Sequence, residues 1–154
     1  MSREKIIDRS RIKEIISGLK AAGKKVVFTN GCFDLIHVGH VRYLNEAKKL
    51  GDVLIIGLNA DASVSSIKPG RPVNPEDQRA EVLAALEAVD YVVLFSEDTP
   101  YELIKEVRPD VLVKGADWNV KDIVGNDLVK EVRTIQFVEG ISTSTIIRKI
   151  QDLK

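Results

Sequence analysis

Apolar residues along the chain follow two spacings, one typical of helices and one typical of buried strands. Ile12, Ile15, Ile16 and Leu19 recur every three or four residues, which predicts a helix that ends near Gly23. Short, nearly continuous apolar runs predict strands at 25–30, 52–59, 90–95, 110–115 and 134–138. The second run, DVLIIGLN, favours a parallel strand that is covered on both faces of its sheet.

Helical patterns separate these strands. They cover residues 39–50, 61–66, 75–89, 99–107 and 142–150. Asn74, Thr99 and Ser142 are the expected caps of the last three helices, with Pro75 and Pro100 in the first turns of two of them. The stretch IKPGRPVNP contains three prolines and a glycine, and it is expected to be irregular.

The alternation of strands and helices predicts an α/β fold, with a doubly wound, mainly parallel five-stranded sheet. We expect one domain over residues 1–154, in which residues 1–24 form an N-terminal helical extension. In such sheets, ligands bind outside the carboxyl ends of the strands, at the point where the strand order reverses. The first strand ends at Thr29 and Asn30, so a ligand site is expected just after them.

Composition narrows the class of protein further. Lys plus Arg and Asp plus Glu both number 23, which argues against a nucleic-acid partner. No apolar run approaches the roughly 20 residues that span a bilayer, and the charged N-terminus lacks the apolar core of a signal peptide. The single cysteine, Cys32, cannot form an internal disulfide. These features predict a cytoplasmic protein with no membrane partner.

The chain has two histidines, His37 and His40, and both lie in the stretch TNGCFDLIHVGHVRYL. Such a pair of histidines has four possible roles: metal ligation, general-base chemistry, a position in the core, or phosphate binding. A metal site finds no third nearby ligand apart from Cys32 and Asp34, so no protein metal site is predicted. The position after the first strand argues against the core, and Gly31 and the following helix N-terminus suit phosphate.

A second stretch, VEGISTSTIIRK, supports the phosphate interpretation. It places four hydroxyl side chains at the start of the last predicted helix, namely Ser142, Thr143, Ser144 and Thr145. Capping a helix needs one hydroxyl, not four. The remaining hydroxyls and the helix N-terminus therefore predict a second phosphate site.

The chain resembles the HxGH nucleotidyltransferase superfamily in two motifs. The first is G-x-F-D-x-x-H-x-G-H after the first strand, and the second is the late stretch E-G-x-S-T-[ST]. Residues 51–100 and the stretch RPDVLVKGADW resemble the adenylyltransferase domain of bacterial heptose biosynthesis enzymes. The resemblance runs from Lys25 to Ile150. It implies that ATP and D-glycero-β-D-manno-heptose 1-phosphate are joined to give ADP-heptose and pyrophosphate. Many members carry a preceding sugar-kinase domain, and we expect this chain to be the stand-alone form.

Two departures from related patterns bear on specificity. Glycerol-phosphate cytidylyltransferases carry R-T-E-G-I-S-T, whereas this chain has Phe137 at the position of the arginine, which disfavours a cytidylyl reaction. Heptose members carry K-G-G-D-Y, whereas this chain reads KGADW, with Ala116 and Trp118. The alternatives are a glycerol-3-phosphate cytidylyltransferase, another sugar- or alcohol-phosphate nucleotidyltransferase, or a nucleotide-binding regulatory module that has lost activity.

The resemblance also implies roles for individual residues. His37 and His40 contact the triphosphate, and Lys68 bridges the phosphates of the two substrates from a loop; these three are the predicted catalytic residues. The predicted nucleotide-binding residues are His37, His40, Cys32, Phe33, Arg79, Lys114, Asp117, Gly140, Ser142, Thr143 and Ser144. The predicted sugar-phosphate residues are Lys68, Asp34, Arg71 and Trp118. The resemblance also implies that Mg²⁺ accompanies ATP. Asp34 either helps to place this Mg²⁺ or forms a turn. The family further suggests a homodimer.

Overall fold

The structure, a computed structural model, describes residues 1–153. Its centre is a five-stranded sheet in the order β3-β2-β1-β4-β5, with every neighbouring pair parallel. The strands are β1 Val26–Gly31, β2 Val53–Asn59, β3 Tyr91–Phe95, β4 Val111–Gly115 and β5 Glu131–Ile135. This arrangement confirms the predicted doubly wound α/β fold.

Six α-helices connect and flank the strands. They are α1 Ile12–Ala21, α2 Val38–Lys48, α3 Asp61–Ile67, α4 Glu76–Ala84, α5 Tyr101–Val107 and α6 Thr143–Gln151. Short 3-10 turns lie at Ser2–Lys5, Arg9–Arg11, Val120–Asp122 and Asn126–Leu128. No helix within residues 1–153 is both long enough and apolar enough to cross a membrane.

The strand order reverses at β1, which lies between β2 and β4. The chain passes from β1 outward to β2 and β3, and then returns across the sheet to β4 on the other side. In register, Val27 of β1 faces Leu54 of β2 on one side and Val111 of β4 on the other. A crevice therefore opens outside the carboxyl ends of β1 and β4, where the topology places a ligand.

Apolar side chains cover both faces of the sheet. All seven residues of β2 are buried, as expected for a central parallel strand. One face packs against α2 and α4 through residues that include Leu44 and Leu83. The other packs against α1 and α5 through residues that include Ile16 and Leu103. This double covering buries the central parts of β1 and β4 on both faces of the sheet.

The N-terminal segment packs against the sheet. Ile6 forms an isolated parallel bridge with Val92, and the N–H of Ile7 donates to the carbonyl of Val92 at 2.9 Å. Ile7, Ile12 and Ile16 are buried in the same core as α5. Residues 1–24 therefore combine 3-10 turns and α1 with a β-bridge, and they contribute to the core of the domain.

Several predicted boundaries need correction. Strand β5 spans residues 131–135, because these five residues pair with β4, and residues 136–138 leave the sheet. Helix α4 ends at Ala84, before the predicted end at residue 89. Pro75 occupies its N-cap, whereas Asn74 donates its hydrogen bonds to Asp34 and therefore does not cap the helix.

Of the caps predicted for the last two helices, Thr99 is wrong and Ser142 is confirmed. Pro100 is the N-cap of α5, and the Thr99 hydroxyl only accepts a long 3.4 Å bond from the N–H of Tyr101. The Ser142 prediction is confirmed, since its hydroxyl accepts from the N–H of Thr145 at 3.0 Å. A serine side chain is short enough to reach the first-turn N–H groups.

Candidate active site

A cleft of about 470 Å³ lies outside the carboxyl ends of β1 and β4, beside the N-terminal ends of α2 and α6. It gathers thirteen of the residues that the sequence analysis singled out. These are Cys32, Phe33, Asp34, His37, His40, Lys68, Arg71, Lys114, Asp117, Trp118, Ser142, Thr143 and Ser144. Residues distant in the chain thus meet where two strands and two helices end.

The turn after β1 depends on a glycine. Phe33 adopts a left-handed backbone conformation with φ 46°, and its ring folds back over Gly31. A Cβ at Gly31 would lie only 2.9 Å from Cε2 of Phe33. Because Gly31 lacks this atom, the chain can turn tightly and direct residues 32–37 towards the cleft.

The HVGH motif forms the N-terminal end of α2. The Nδ1 atom of His37 accepts from the N–H of Gly39 at 3.1 Å, and the Nδ1 atom of His40 accepts from the N–H of His37 at 3.2 Å. The two ring centroids lie 3.9 Å apart. A Cβ at Gly39 would lie 2.9 Å from the His37 ring, so the intervening glycine allows this cap.

These hydrogen bonds assign the tautomer of both rings. Since each Nδ1 accepts a hydrogen bond from a backbone N–H, each neutral ring carries its own hydrogen on Nε2. Burial lowers the pKa of His37. Burial, and then the charges of His37 and Lys68, lower the pKa of His40 to about 4. Both rings are therefore neutral N–H donors near pH 7, and His40 is too weak a base for proton abstraction there.

Acidification should destabilise the fold partly through His40. Its pKa is about 4 in the fold, whereas an unperturbed histidine titrates near about 6.5. Between these values the unfolded chain binds more protons than the folded chain, so the free energy of unfolding decreases as the pH falls. Urea unfolding between about pH 7 and pH 5 measures this dependence. His40→Gln should weaken it, and equal slopes for both proteins would contradict the low pKa.

The hydroxyl run at the start of α6 divides into structural and free members. The Ser142 hydroxyl lies 2.7 Å from that of Thr145, and it also caps the helix. Thr143 donates its hydroxyl hydrogen to the carbonyl of Leu35 at 3.2 Å, which ties α6 to the loop before α2. Ser144 lines the cleft. The N–H of Thr145 is bonded to the Ser142 hydroxyl, whereas the N–H groups of Thr143 and Ser144 have no acceptor within the helix, so they can bind an anion.

Cationic side chains also line the cleft. Lys68 and Arg71 come from the loop between α3 and α4, and Lys114 comes from the end of β4. The Lys114 ammonium lies 5.2 Å from the ring centroid of Trp118. Burial lowers the pKa of Lys114, against the opposing influence of Cys32 and Asp117. An anion bound beside Lys114 would favour its charged form and so oppose this lowering of its pKa.

Asp34 lies at the base of the cleft, but its carboxylate is occupied. It accepts hydrogen bonds from Arg71 Nε at 3.0 Å and from the N–H groups of Val73 and Asn74 at 2.8 and 2.9 Å. Burial alone would raise the pKa of Asp34, but these three donors lower it overall. Of the two roles predicted for Asp34, turn formation is the one that these contacts support.

Two predicted nucleotide-binding residues do not lie on the wall of the cleft. Arg79 is 1% exposed, and its guanidinium donates to the carbonyls of Cys32, Asn59 and Asn74 and to Asp61 Oδ1. Gly140, with φ 74°, belongs to the turn that leads into α6. The structure therefore brings Arg79 beneath the cleft, where it contacts the backbone of the strand ends.

Comparison with known proteins gives a family. The profile of the family described as cytidylyltransferase-like, within the nucleotidyltransferase superfamily, matches residues 28–149. The chain belongs to this family. The match includes both the HVGH motif and the hydroxyl run, and it confirms the resemblance to the nucleotidyltransferase superfamily at this level.

Curated relatives of this cytidylyltransferase-like chain include the Bifunctional protein HldE of Wolinella succinogenes and that of Nitratiruptor sp. The chain is 57% and 58% identical to them over 151 residues. These residues are 97% of this chain but only 32% and 33% of the two proteins. The chain thus spans about a third of the length of the curated relatives it matches.

Two solved structures share the cytidylyltransferase-like fold. A lipopolysaccharide core biosynthesis protein from Thermoplasma volcanium has a TM-score of 0.66 and 30% identity, over 75% of this chain and 100% of that one. A pantoate-beta-alanine ligase from Francisella tularensis, crystallised with a form of ATP and β-alanine, has a TM-score of 0.61. At 16% identity, over 97% of this chain and 79% of that one, the second shows the fold alone.

Two aromatic residues of the cytidylyltransferase-like cleft, Tyr43 and Phe137, were not among the predicted site residues. Tyr43 is bonded to the Thr29 hydroxyl at 2.8 Å, and burial raises its pKa to about 12. Phe137 stacks on Tyr43 with centroids 6.2 Å apart, and it covers Gly115. Tyr43 follows His40 by three residues on α2, so helical spacing could have identified it. For Phe137, the sequence offered only one signal of a role in the cleft, namely that it stands where the cytidylyltransferases carry an arginine.

Residues 1–153 contain no group of three His, Cys, Asp or Glu side chains that could hold a metal ion. Mg²⁺ prefers oxygen ligands and commonly binds through one or two carboxylates together with substrate phosphates. The oxygens of Asp34 are already bonded, which leaves Asp117 as the other carboxylate of the cleft. The residues present therefore fit Mg²⁺ that arrives with a nucleotide, held mainly by phosphate oxygens.

Proposed function

We propose that this chain is an adenylyltransferase that joins ATP and D-glycero-β-D-manno-heptose 1-phosphate to give ADP-heptose and pyrophosphate. The observation that carries the proposal is the cleft itself. Two helix N-termini, two neutral histidine donors and the cations Lys68 and Lys114 converge on one space of about 470 Å³. Such a set of donors suits a polyphosphate. The high identity to the HldE proteins supports the heptose substrate.

The reaction follows from the chemistry of the two substrates. A phosphate oxygen of the sugar 1-phosphate attacks the α-phosphorus of ATP, and a new P–O bond forms. The bond from the α-phosphorus to the oxygen bridging to the β-phosphorus breaks, and pyrophosphate leaves with that electron pair. The attacking oxygen is already anionic near pH 7, so no base has to remove a proton. This agrees with a His40 pKa of about 4.

Catalysis then consists of positioning and charge stabilisation. The Nε2–H groups of His37 and His40 donate to the oxygens of the triphosphate on which negative charge develops. Lys68 offsets the repulsion between the two anionic substrates as they approach, and Lys114 adds a second positive charge. The start of α6 receives the distal phosphates. Asp117 and the substrate phosphates would hold Mg²⁺, which would supply neutralisation of part of the charge on the triphosphate and the pyrophosphate.

A substrate panel tests the proposal. The protein is incubated with Mg²⁺, either ATP or CTP, and a set of acceptors, with pyrophosphate release as the readout. The acceptors are the two anomers of the heptose 1-phosphate, glucose 1-phosphate, glycerol 3-phosphate and phosphocholine. We expect turnover with ATP and a heptose 1-phosphate, with product identity checked by mass spectrometry.

Each contrary result of the panel selects an alternative. Turnover with CTP and glycerol 3-phosphate, without turnover of any heptose 1-phosphate, would select the cytidylyltransferase. Nucleotide binding without turnover of any acceptor would select the regulatory module. Phe137, at the position of the cytidylyltransferase arginine, supports ATP over CTP. A homodimer, a cytoplasmic location and the Mg²⁺ requirement belong to the same proposal.

A further inference from the structure

The segment of residues 68–75, between α3 and α4, carries Lys68 into the cleft with little regular structure of its own. Its first three residues are exposed, and it contains no helix or strand. Within the segment, one backbone hydrogen bond closes a turn, from the N–H of Arg71 to the carbonyl of Lys68 at 3.1 Å. Elsewhere its polar groups are bonded mainly to the side chains of two buried residues, Asp34 and Arg79.

Asp34 holds the middle of the segment from the cleft side. Its carboxylate is fully buried, and it receives the N–H groups of Val73 and Asn74 as well as the Arg71 guanidinium. The Asn74 side chain also donates to the Asp34 backbone carbonyl at 3.1 Å. Asn74 thus donates twice to Asp34, once from its backbone N–H and once from its side chain, and this pair of bonds specifies one conformation of residues 71–74.

Arg79 holds the end of the same segment from below. Its Nε donates to the carbonyl of Asn74 at 2.9 Å, and its Nη1 donates to the carbonyls of Cys32 and Asn59 at 2.7 and 2.8 Å. Cys32 directly follows β1 and Asn59 ends β2. One guanidinium therefore connects the segment to the ends of two central strands, and Asn74 is bonded from both sides.

The position of Lys68 explains why the segment has to be held. Its charge lies close enough to lower the pKa of both His40 and Lys114. Before a phosphate binds, the Lys114 ammonium repels the Lys68 ammonium, and the long lysine side chain also loses rotamer entropy when ordered. A free segment would therefore move Lys68 away from the cleft, whereas bonds to buried groups keep it near.

We infer that Asp34 and Arg79 are positioning residues that hold residues 68–75 in place and act on the reaction through Lys68. This inference rests on the proposed function for its kinetic consequences. For Asp34, this positioning role takes the place of the predicted direct contact with substrate or Mg²⁺. For Arg79, it takes the place of the predicted direct contact with nucleotide. Both residues then influence the step at the α-phosphate without touching it.

A double-mutant cycle tests the coupling. The proteins are wild type, Asp34→Asn, Lys68→Ala and the double variant. Asparagine matches aspartate in shape, but it offers one acceptor oxygen where two N–H groups of the segment need acceptors. Because misplacement of a catalytic group by about 1 Å can cost about 10²-fold in rate, we expect kcat to fall about 10-fold to 10²-fold in Asp34→Asn. The double variant should be no slower than Lys68→Ala.

Asp110→Asn is the matched control. Asp110 also accepts a backbone N–H, that of Val26 at 2.8 Å, but it lies at the amino ends of β1 and β4, away from the cleft at their carboxyl ends. We expect this variant to lose stability without loss of kcat, and its effect should add to that of Lys68→Ala. Thermal unfolding of each protein confirms that the kinetics come from folded molecules. Full additivity for Asp34→Asn and Lys68→Ala would overturn the inference.

Amide hydrogen exchange supplies a readout that needs no substrate. In Asp34→Asn, residues 68–75 should exchange faster than in wild type, while β1 and β4 keep their protection. Unchanged exchange in this segment would overturn the inference even if the enzyme is inactive with heptose phosphates. Conversely, if wild type turns over only CTP and glycerol 3-phosphate, the proposed function fails, and the same cycle is run on that reaction.

Discussion

Replacing His40 with alanine is expected to lower kcat of the ATP-dependent transfer by about 10²-fold to 10³-fold, the loss seen when one preorganised donor to a developing negative charge is removed. The ring is neutral because burial, His37 and Lys68 lower its pKa to about 4. Its Nδ1 accepts the N–H of His37, so Nε2–H is the donor that it can offer to a phosphate oxygen. Steady-state kinetics with saturating ATP and heptose 1-phosphate measure the loss.

Two isosteric variants separate the functions of the two ring nitrogens. The oxygen of an asparagine at position 40 lies near the place of Nδ1, so His40→Asn should keep the bond to the N–H of His37 while it loses the donor. The amide of a glutamine reaches the place of Nε2, so His40→Gln should restore part of the rate. Wild-type activity in His40→Asn would show that the Nε2–H donor is dispensable.

The second large effect is expected for stability. Arg79→Met should reduce the free energy of unfolding by about 3 to 5 kcal/mol, the usual cost of removing one partner from a buried ionic network. Methionine fills much of the volume but donates no hydrogen bond. The carbonyls of Cys32, Asn59 and Asn74 would lose their bonds to Arg79, while Asp61, whose side chain is 42% exposed, can be hydrated.

Urea and thermal unfolding measure this change. For a chain of this size the loss corresponds to a decrease of roughly 10 °C in Tm. Arg133→Met is the matched control, since Arg133 is 58% exposed and pairs with Glu131 on the edge strand β5. It should change stability by less than about 0.5 kcal/mol. Equal losses for both variants would mean that the bonds of Arg79 contribute nothing beyond those of a surface arginine.

Much of the fold could be predicted from the sequence because each signal is local. The apolar runs located the first four strands, since β-branched and leucine runs in the centre of a parallel sheet are buried on both faces. The fifth strand was placed three residues too late. It lies at the edge of the sheet, where its side chains are mostly half-buried or exposed, and the apolar pattern is correspondingly weak.

The position of the cleft was also predictable. The histidines follow β1 and the hydroxyl run begins α6, and both lie at the end of the sheet where the carboxyl ends of the parallel strands meet. Topology alone therefore brings these motifs near one another. The glycine of HVGH shows a further local effect, because the absence of its Cβ lets the ring of His37 cap α2.

By itself, the sequence determined the succession of strands and helices along the chain and the two motifs that line the cleft, because short-range periodicity and capping decide each of them. The strand order β3-β2-β1-β4-β5, which places the switch point at β1, was decided by the tertiary structure. Only the tertiary structure decided what Asp34 and Arg79 contact, and that Phe137 stacks on Tyr43. The physical reason is distance along the chain. A carboxylate or guanidinium next to a phosphate motif has the same local sequence whether it faces the ligand or a buried carbonyl, and long-range packing alone selects between them.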